Sequence, residues 1–323
     1  MSVTPPALDR SATVLVAGSS GLVGSALVRR LEAEGFTSVV GIHSTDVDLT
    51  DARATLDHVA SVRPAVLIDA AARVGGIAAN AAEPVEFLTD NLRIQTNLFT
   101  AAHAADVDRL LFLGSSCIYP KHSPQPIPES ALLTGELEET NDAYAIAKIA
   151  GVIAVRSYRR QYGRRWISVM PTNVYGPGDT FHPTRSHVLP ALIRRFHEAV
   201  TAGTEEVVVW GTGTPRREFI HVDDLASACL HLLERYDDPS PVNVGVGEDL
   251  TVAELVALVA ETVGFTGRIV WDRSRPDGTP RKLLDVSRLL ATGWKPRIGL
   301  AEGVRSTVRW YAENVSPRNP DGG

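Results

Sequence analysis

Tyr144 and Lys148 stand four positions apart in Tyr144-Ala-Ile-Ala-Lys148, which puts both side chains on one face of a helix, a turn apart. A free tyrosine has a pKa of about 10 and exchanges protons poorly near neutrality. A neighbouring ammonium favours the phenolate and brings that exchange into range. Alone, such a pair is more often surface cover than chemistry, so its company matters. Gly18-Ser19-Ser20-Gly21-Leu22-Val23-Gly24 lies between an apolar strand and a helix. Glycines there let the backbone turn sharply against a pyrophosphate, while the helix N-terminus offers unpaired N–H groups and the positive end of its dipole. Gly114-Ser115-Ser116 closes another apolar strand. A hydroxyl at a strand's carboxyl end, beside a cofactor crevice, can hold a substrate carbonyl. Glycine loop, serine and Tyr–Lys pair, in that order, point to dinucleotide-dependent chemistry at a carbonyl.

The elements that must position these groups are legible as apolar runs. Thr13–Ala17, Ser38–Ile42, Ala65–Asp69, Arg109–Gly114 and Trp166–Met170 read as strands. Helices are expected at Leu22–Glu34, at Asp51–Val62, from near Asn91 to Asp106, and at Tyr144–Tyr162. Strands with few polar positions, separated by helices, predict an α/β fold: a Rossmann-like, doubly wound parallel sheet covered on both faces. The rhythm breaks at Gly176-Pro177-Gly178-Asp179, a loop signal. After it, a helix at Val188–Ala199, a strand at Glu206–Trp210 and looser segments predict a smaller, mixed α/β substrate domain. The expected division gives 1–178 to the cofactor, with a return segment near 217–240, and gives 179–216 and 241–323 to the substrate. The first ten residues and the tail from Val315 to Gly323 read as loose ends.

Composition narrows the partners. The 323 residues carry a net charge of −6, so no basic field invites nucleic acid or an anionic membrane. Two cysteines, Cys117 and Cys229, are too few for a disulfide framework or a four-cysteine zinc site. Both read first as small buried hydrophobes in a reduced chain. No apolar run is long enough to span a membrane, and the opening residues lack the regions of a signal peptide, so a cytoplasmic protein is expected. His221, Asp223 and Asp224 tempt a metal reading, but no further acid or histidine completes a site, and no metal is expected.

Longer stretches are more specific. Leu113-Gly-Ser-Ser-Cys-Ile-Tyr-Pro120, Ala143-Tyr-Ala-Ile-Ala-Lys-Ile-Ala-Gly151 and Val169-Met-Pro-Thr-Asn-Val-Tyr-Gly-Pro177 resemble the GDP-L-fucose synthase family. So do Phe181-His-Pro, Ser186-His-Val, Val208-Val-Trp-Gly, Arg217-Glu-Phe and Pro276-Asp-Gly-Thr-Pro-Arg-Lys-Leu-Leu-Asp285. These pieces run from about Val14 to Trp294, and the GxxGxxG loop is similar to that of the wider short-chain dehydrogenase/reductases. The resemblance implies an NADPH-dependent enzyme that epimerises GDP-4-keto-6-deoxy-D-mannose at C3 and C5 and then reduces its C4 ketone, giving GDP-L-fucose. It implies a homodimer, built on the helices starting near Asn91 and at Tyr144.

The resemblance also assigns roles. Tyr144 would protonate the C4 oxygen, Ser115 would hydrogen-bond it, and Lys148 would lower the tyrosine's pKa and contact the nicotinamide ribose. The hydrogens at C3 and C5 are acidic because they flank a ketone; a base and an acid are needed, and the family's pair maps onto Cys117 and His187. On the residues alone those two are bland. The cofactor would lie against Gly18 to Gly24, Asp48, Leu113, Gly114, Ser115, Ser116, Lys148, Pro171, Thr172, Asn173, Val174 and His187. Arg195, Trp210, Arg217 and Asp277 would hold the GDP-sugar, with arginine forking onto the diphosphate. Arg73 replaces a family lysine. Ser20 and Ser44 stand where NADPH-preferring members carry arginine, so the expectation is a weaker preference for NADPH, with NAD(H) as its rival. Three other readings remain at this point. One is an NAD-dependent epimerase or dehydratase of another nucleotide sugar, which would not need Cys117 with His187. The second is a reductase with the same chemistry on a different nucleotide-activated sugar, such as another GDP-6-deoxy sugar or a heptose. The third is a non-catalytic member, which would not need all five reactive groups.

Overall fold

The computed structural model describes residues 7–183, 185–274 and 277–316. The first six residues, most of the loose tail and Pro276 lie outside the described residues. In the first half, strands β1 (Val14–Ala17), β2 (Val39–Ile42), β3 (Val66–Asp69), β4 (Arg109–Leu113) and β5 (Arg165–Pro171) alternate with helices. The helices are α1 (Leu22–Ala33), α2 (Ala52–Val62), α3 (Ile77–Ala82), α4 (Pro84–Ala104) and α5 (Asp142–Tyr162). The second half holds β6 (Asn173–Tyr175), α6 (Val188–Ala202), β7 (Glu206–Trp210), β8 (Arg216–Arg217), β9 (Phe219–His221), α7 (Val222–Arg235) and β10 (Val242–Val244). It ends with β11 (Leu250–Thr251), α8 (Val252–Val263), β12 (Arg268–Asp272), β13 (Arg281–Lys282), α9 (Ser287–Ala291) and α10 (Leu300–Asn314).

Six strands form one parallel sheet in the order β10-β5-β4-β3-β1-β2. Every residue of β1, β3 and β4 is buried, as expected of strands sandwiched between helices. One face packs α1 and α7 through Leu27, Leu31, Leu225 and Leu232. The other packs α2, α4 and α5 through Val59, Leu98, Phe99 and Val152. A third core, around Phe196, Val209, Leu255 and Val304, joins α6, α8 and α10 to β7 and β12.

Two expectations need correction. The helix read as starting near Asn91 begins at Pro84, because proline suits the first helical position and Phe87 already points into the core. The return segment near 217–240 does bring α7 back onto the sheet, against α1, β4 and β5, but its strand lies beyond that segment. Phe219–His221 pairs with β6 instead, since His221 accepts a hydrogen bond from Asp223 N and starts α7 after three strand residues. The sheet strand is β10, beside β5, within a stretch assigned to the substrate part.

Candidate active site

β1 has β2 on one side and β3 on the other, so the winding reverses there and opens a crevice beyond the carboxyl ends of the strands. Gly18 ends β1 with φ +77°, and a Cβ there would lie 2.8 Å from both Ala70 O and Ala71 Cα. Only glycine meets both demands. Gly24 is equally confined, against Gly18 O. Gly21 starts α1 with no capping side chain, and the first turn carries no acid, so its N–H groups suit an anion. The loop therefore fits a dinucleotide pyrophosphate. Ser19 is buried under the loop against Gly41, whereas Ser20, His43 and Ser44 are exposed. Asp48 Oδ1 accepts from Thr50 N at 2.9 Å and Thr50 Oγ1 at 2.7 Å, which holds its carboxyl below the usual range. That carboxylate serves a local turn.

The catalytic candidates converge at the end of β4. Ser115 caps a short 3-10 turn (Ser116–Ile118), with Cys117 N donating to Ser115 Oγ at 3.2 Å. Tyr144, on the first turn of α5, hydrogen-bonds Ser115; burial, with the Cys117 thiol nearby, pushes its phenol up, and Ser115 opposes that. Its ring meets Phe87 edge-on, at 6.4 Å. Lys148 is buried, donates to Leu113 O at 2.8 Å and lies 4.7 Å above the Phe112 ring. Burial brings its ammonium down to about 8.

Cys117 is half-exposed and unpaired. Two donors reach its Sγ: Asn141 Nδ2 and Lys282 Nζ, each at 3.4 Å. His187 precedes α6 as its N-cap residue and is exposed. The surrounding protein, then the charge of Lys282, push its imidazole below its ordinary value. Lys282 thus acts on both members of the pair, and reading the sequence missed it and Asn141. Cys229, by contrast, is fully buried on α7, its thiol pushed up to about 12.

The substrate candidates form one connected patch. Arg195 of α6 donates to Val208 O at 2.6 Å, and its guanidinium lies 5.8 Å from the Trp210 ring. Trp210 ends β7, about half exposed. The next residues meet Asp277, which accepts from Thr212 N at 2.7 Å and Thr212 Oγ1 at 2.8 Å, so its carboxylate holds a turn. Arg217 Nη2 donates to Asp277 O at 3.5 Å. Burial holds the guanidinium of Arg217 below its usual value. Arg217 pairs with Lys282 in the β8–β13 ladder, and so the patch runs into the Cys117 region. A shallow cavity of about 480 Å³ lies beside Arg195 and Trp210. Arg73 is committed elsewhere, to Glu83 and Asp90.

Glu218 was also missed. Its carboxylate is buried and accepts from Val246 N, Gly247 N and Leu284 N at 2.7, 2.7 and 3.0 Å. Its carbonyl accepts from Thr172 Oγ1 and Asn173 Nδ2, two of the expected cofactor residues. Asp224 accepts from Arg297 N and Ile298 N, so the His-Val-Asp-Asp segment anchors backbone.

A parallel sheet with a dinucleotide loop and a Ser–Tyr–Lys cluster at its carboxyl edge defines a class of dinucleotide-dependent enzymes. The chain belongs to the NAD dependent epimerase/dehydratase family, which matches residues 14–245. It is 56% identical over 310 residues to GDP-L-fucose synthase 1 of Arabidopsis thaliana, covering 96% of each chain. It is 52% identical to GDP-L-fucose synthase of Escherichia coli (strain K12), covering 93% of this chain and 97% of the relative. A solved GDP-L-fucose synthetase from Naegleria fowleri bound to NADP superposes with a TM-score of 0.90 at 30% identity, over 97% of this chain and 96% of that one.

Proposed function

We propose that the protein reduces and epimerises GDP-4-keto-6-deoxy-D-mannose to GDP-L-fucose. The carrying observation is Cys117 Sγ, held by Asn141 and Lys282 in the turn after β4 that Ser115 caps, beside Tyr144 of α5. A plain ketone reductase has no use for a braced thiol beside its proton donor. Similarity to enzymes named GDP-L-fucose synthase supports the same substrate.

In this reading, Cys117 takes the proton from the carbon next to the ketone and His187 returns one from the other face. The Tyr144 hydroxyl then protonates the C4 oxygen, with Ser115 as the second donor to it and Lys148 easing the loss of the phenolic proton. NADPH, when bound, supplies the hydride to C4. The loop Gly18 to Gly24 would hold its pyrophosphate; Leu113, Gly114, Pro171, Thr172, Asn173 and Val174 would take its nicotinamide end. Arg195 and Arg217 hold the diphosphate, Trp210 stacks on the base, and Asp277 fixes the turn between them. Residues up to 178 with β10 serve the cofactor, and the α6–α8–α10 unit serves the sugar.

Two finer points complete the reading. We assign a homodimer through α4 and α5, supported by the exposed Val85 of α4 and Ile146 and Ile153 of α5. We assign the cytoplasm, supported by two free thiols; no helix among the described residues is long and apolar enough to cross a membrane.

The test is incubation with GDP-4-keto-6-deoxy-D-mannose and NADPH in deuterated water. NADPH oxidation with deuterium at C3 and C5 is expected; absence of oxidation refutes the reading. Cys117→Ser should lose the deuterium, and Tyr144→Phe should lose mainly the reduction. The reverse pattern overturns the roles.

A further inference from the structure

Asp69 is the last residue of β3 and is fully buried. In the parallel ladder it stands level with Ala17 on β1 and Phe112 on β4. Side chains at one level of adjacent strands share a face, so Asp69 lies on the side covered by α4 and α5. Lys148 descends from α5 onto that same level, with Nζ over the Phe112 ring and bonded to Leu113 O. Asp69 Oδ1 accepts from Ala71 N at 3.2 Å, while Oδ2 is buried with no hydrogen-bond partner among the described residues. An unmet buried acceptor is costly, and more so when it carries a charge. No role given above to the site's residues accounts for it.

We propose that Asp69 is a positioning residue for the reductive step: its carboxylate is the counter-charge that keeps Lys148 an ammonium in a buried place. The proposal rests on the reading of Tyr144 and Lys148 as the proton-donating pair. The groups facing Lys148 are few. β3 brings Asp69, β4 brings a carbonyl and the Phe112 ring, and α5 itself brings Tyr144. From α4, neutral Gln95 bonds Ala147 O. Asp69 in turn faces Lys148 and the Ala71 N–H. Burial pushes Asp69 up to about 6, against the pull of Lys148, and pushes Lys148 down to about 8, against the pull of Asp69. Both are therefore charged chiefly between these values. Without the carboxylate, Lys148 loses its proton at lower pH, and Tyr144 loses the positive neighbour that lets it donate.

Asp69→Asn keeps the shape and the bond from Ala71 while removing the charge; Asp69→Leu fills the space without polarity. For both, the alkaline limb of kcat for reduction should fall by about one pH unit or more, while deuterium entry at C3 and C5 keeps its profile. A second readout needs no turnover: competitive acetylation of amines across pH, with Lys148 followed by mass spectrometry. Its labelling midpoint should fall by a similar amount in both variants. If the folded variants, checked by melting, move neither the limb nor the midpoint, the proposal is overturned. If wild-type protein reduces no 4-keto sugar yet the midpoint falls, the functional reading fails and the Asp69–Lys148 relation stands.

Discussion

Lys282 Nζ sits 3.4 Å from Cys117 Sγ although 164 intervening residues separate them in the chain, and its charge also bears on His187. The ammonium donates to the thiol and pushes the His187 imidazole below its ordinary value, so one side chain touches both members of the pair. Lys282→Met should therefore slow deuterium entry at C3 and C5 by about 10–100-fold, with Lys282→Arg retaining more. Exchange rates are read by NMR; an unchanged rate in the methionine variant would remove Lys282 from the chemistry.

Gly18→Ala should abolish tight cofactor binding. The left-handed φ costs a non-glycine residue about 1–2 kcal/mol, and the new methyl must push Ala70 and Ala71 away. Titration of NADPH fluorescence would show at least a tenfold weaker complex, with a lower melting temperature. Gly35→Ala is the control for backbone strain: it has φ +84° with open space around it.

Asp179 gives a stability profile whose sign can be worked out. It is buried, with Oδ1 bonded to Thr180 N at 2.7 Å and Oδ2 without a hydrogen-bond partner among the described residues, and burial raises its carboxyl to about 7. The folded value lies above the unfolded one, so the neutral form's contribution is present below about 4 and is lost as pH rises through 7. Asp179→Asn should therefore stabilise the protein at pH 8, with the gain shrinking towards pH 4. Melting curves across that range check it; a pH-independent difference would contradict it.

The cofactor loop and the strand after it carry neither arginine nor a free acid for the adenine ribose, since Ser20, His43 and Ser44 are exposed and Asp48 holds Thr50. Ser44→Arg should raise kcat/KM for NADPH over NADH by about tenfold, the scale of one added charge-assisted contact to a phosphate. A wild type that already prefers NADPH by several orders of magnitude would defeat this expectation.

The local signals were readable in the sequence because spacing alone carries them. Glycine loop, serine and Tyr–Lys pair each lie within a few consecutive residues, and β1, β3 and β4 bury every residue. What escaped notice depends on long-range pairing. Lys282 reaches Cys117 because β13 joins β8 beside Arg217. Asp69 looked like the end of an apolar run; its meaning comes from the register with Phe112. Helix α4 hid its first turn because a proline there reads as punctuation. The return segment was legible, but not which strand joins the sheet: Val242–Val244 is short, and its place beside β5 comes from pairing.

Glu218 has a consequence for how the molecule comes apart. Its carbonyl receives Thr172 and Asn173 from beside β5, and its carboxylate receives Val246, Gly247 and Leu284 from the other half. A single residue thus stitches four stretches of chain that a linear division would separate. The cofactor and sugar halves have no seam along which one could melt first, so calorimetry should record one cooperative transition, and neither half expressed alone should hold its shape.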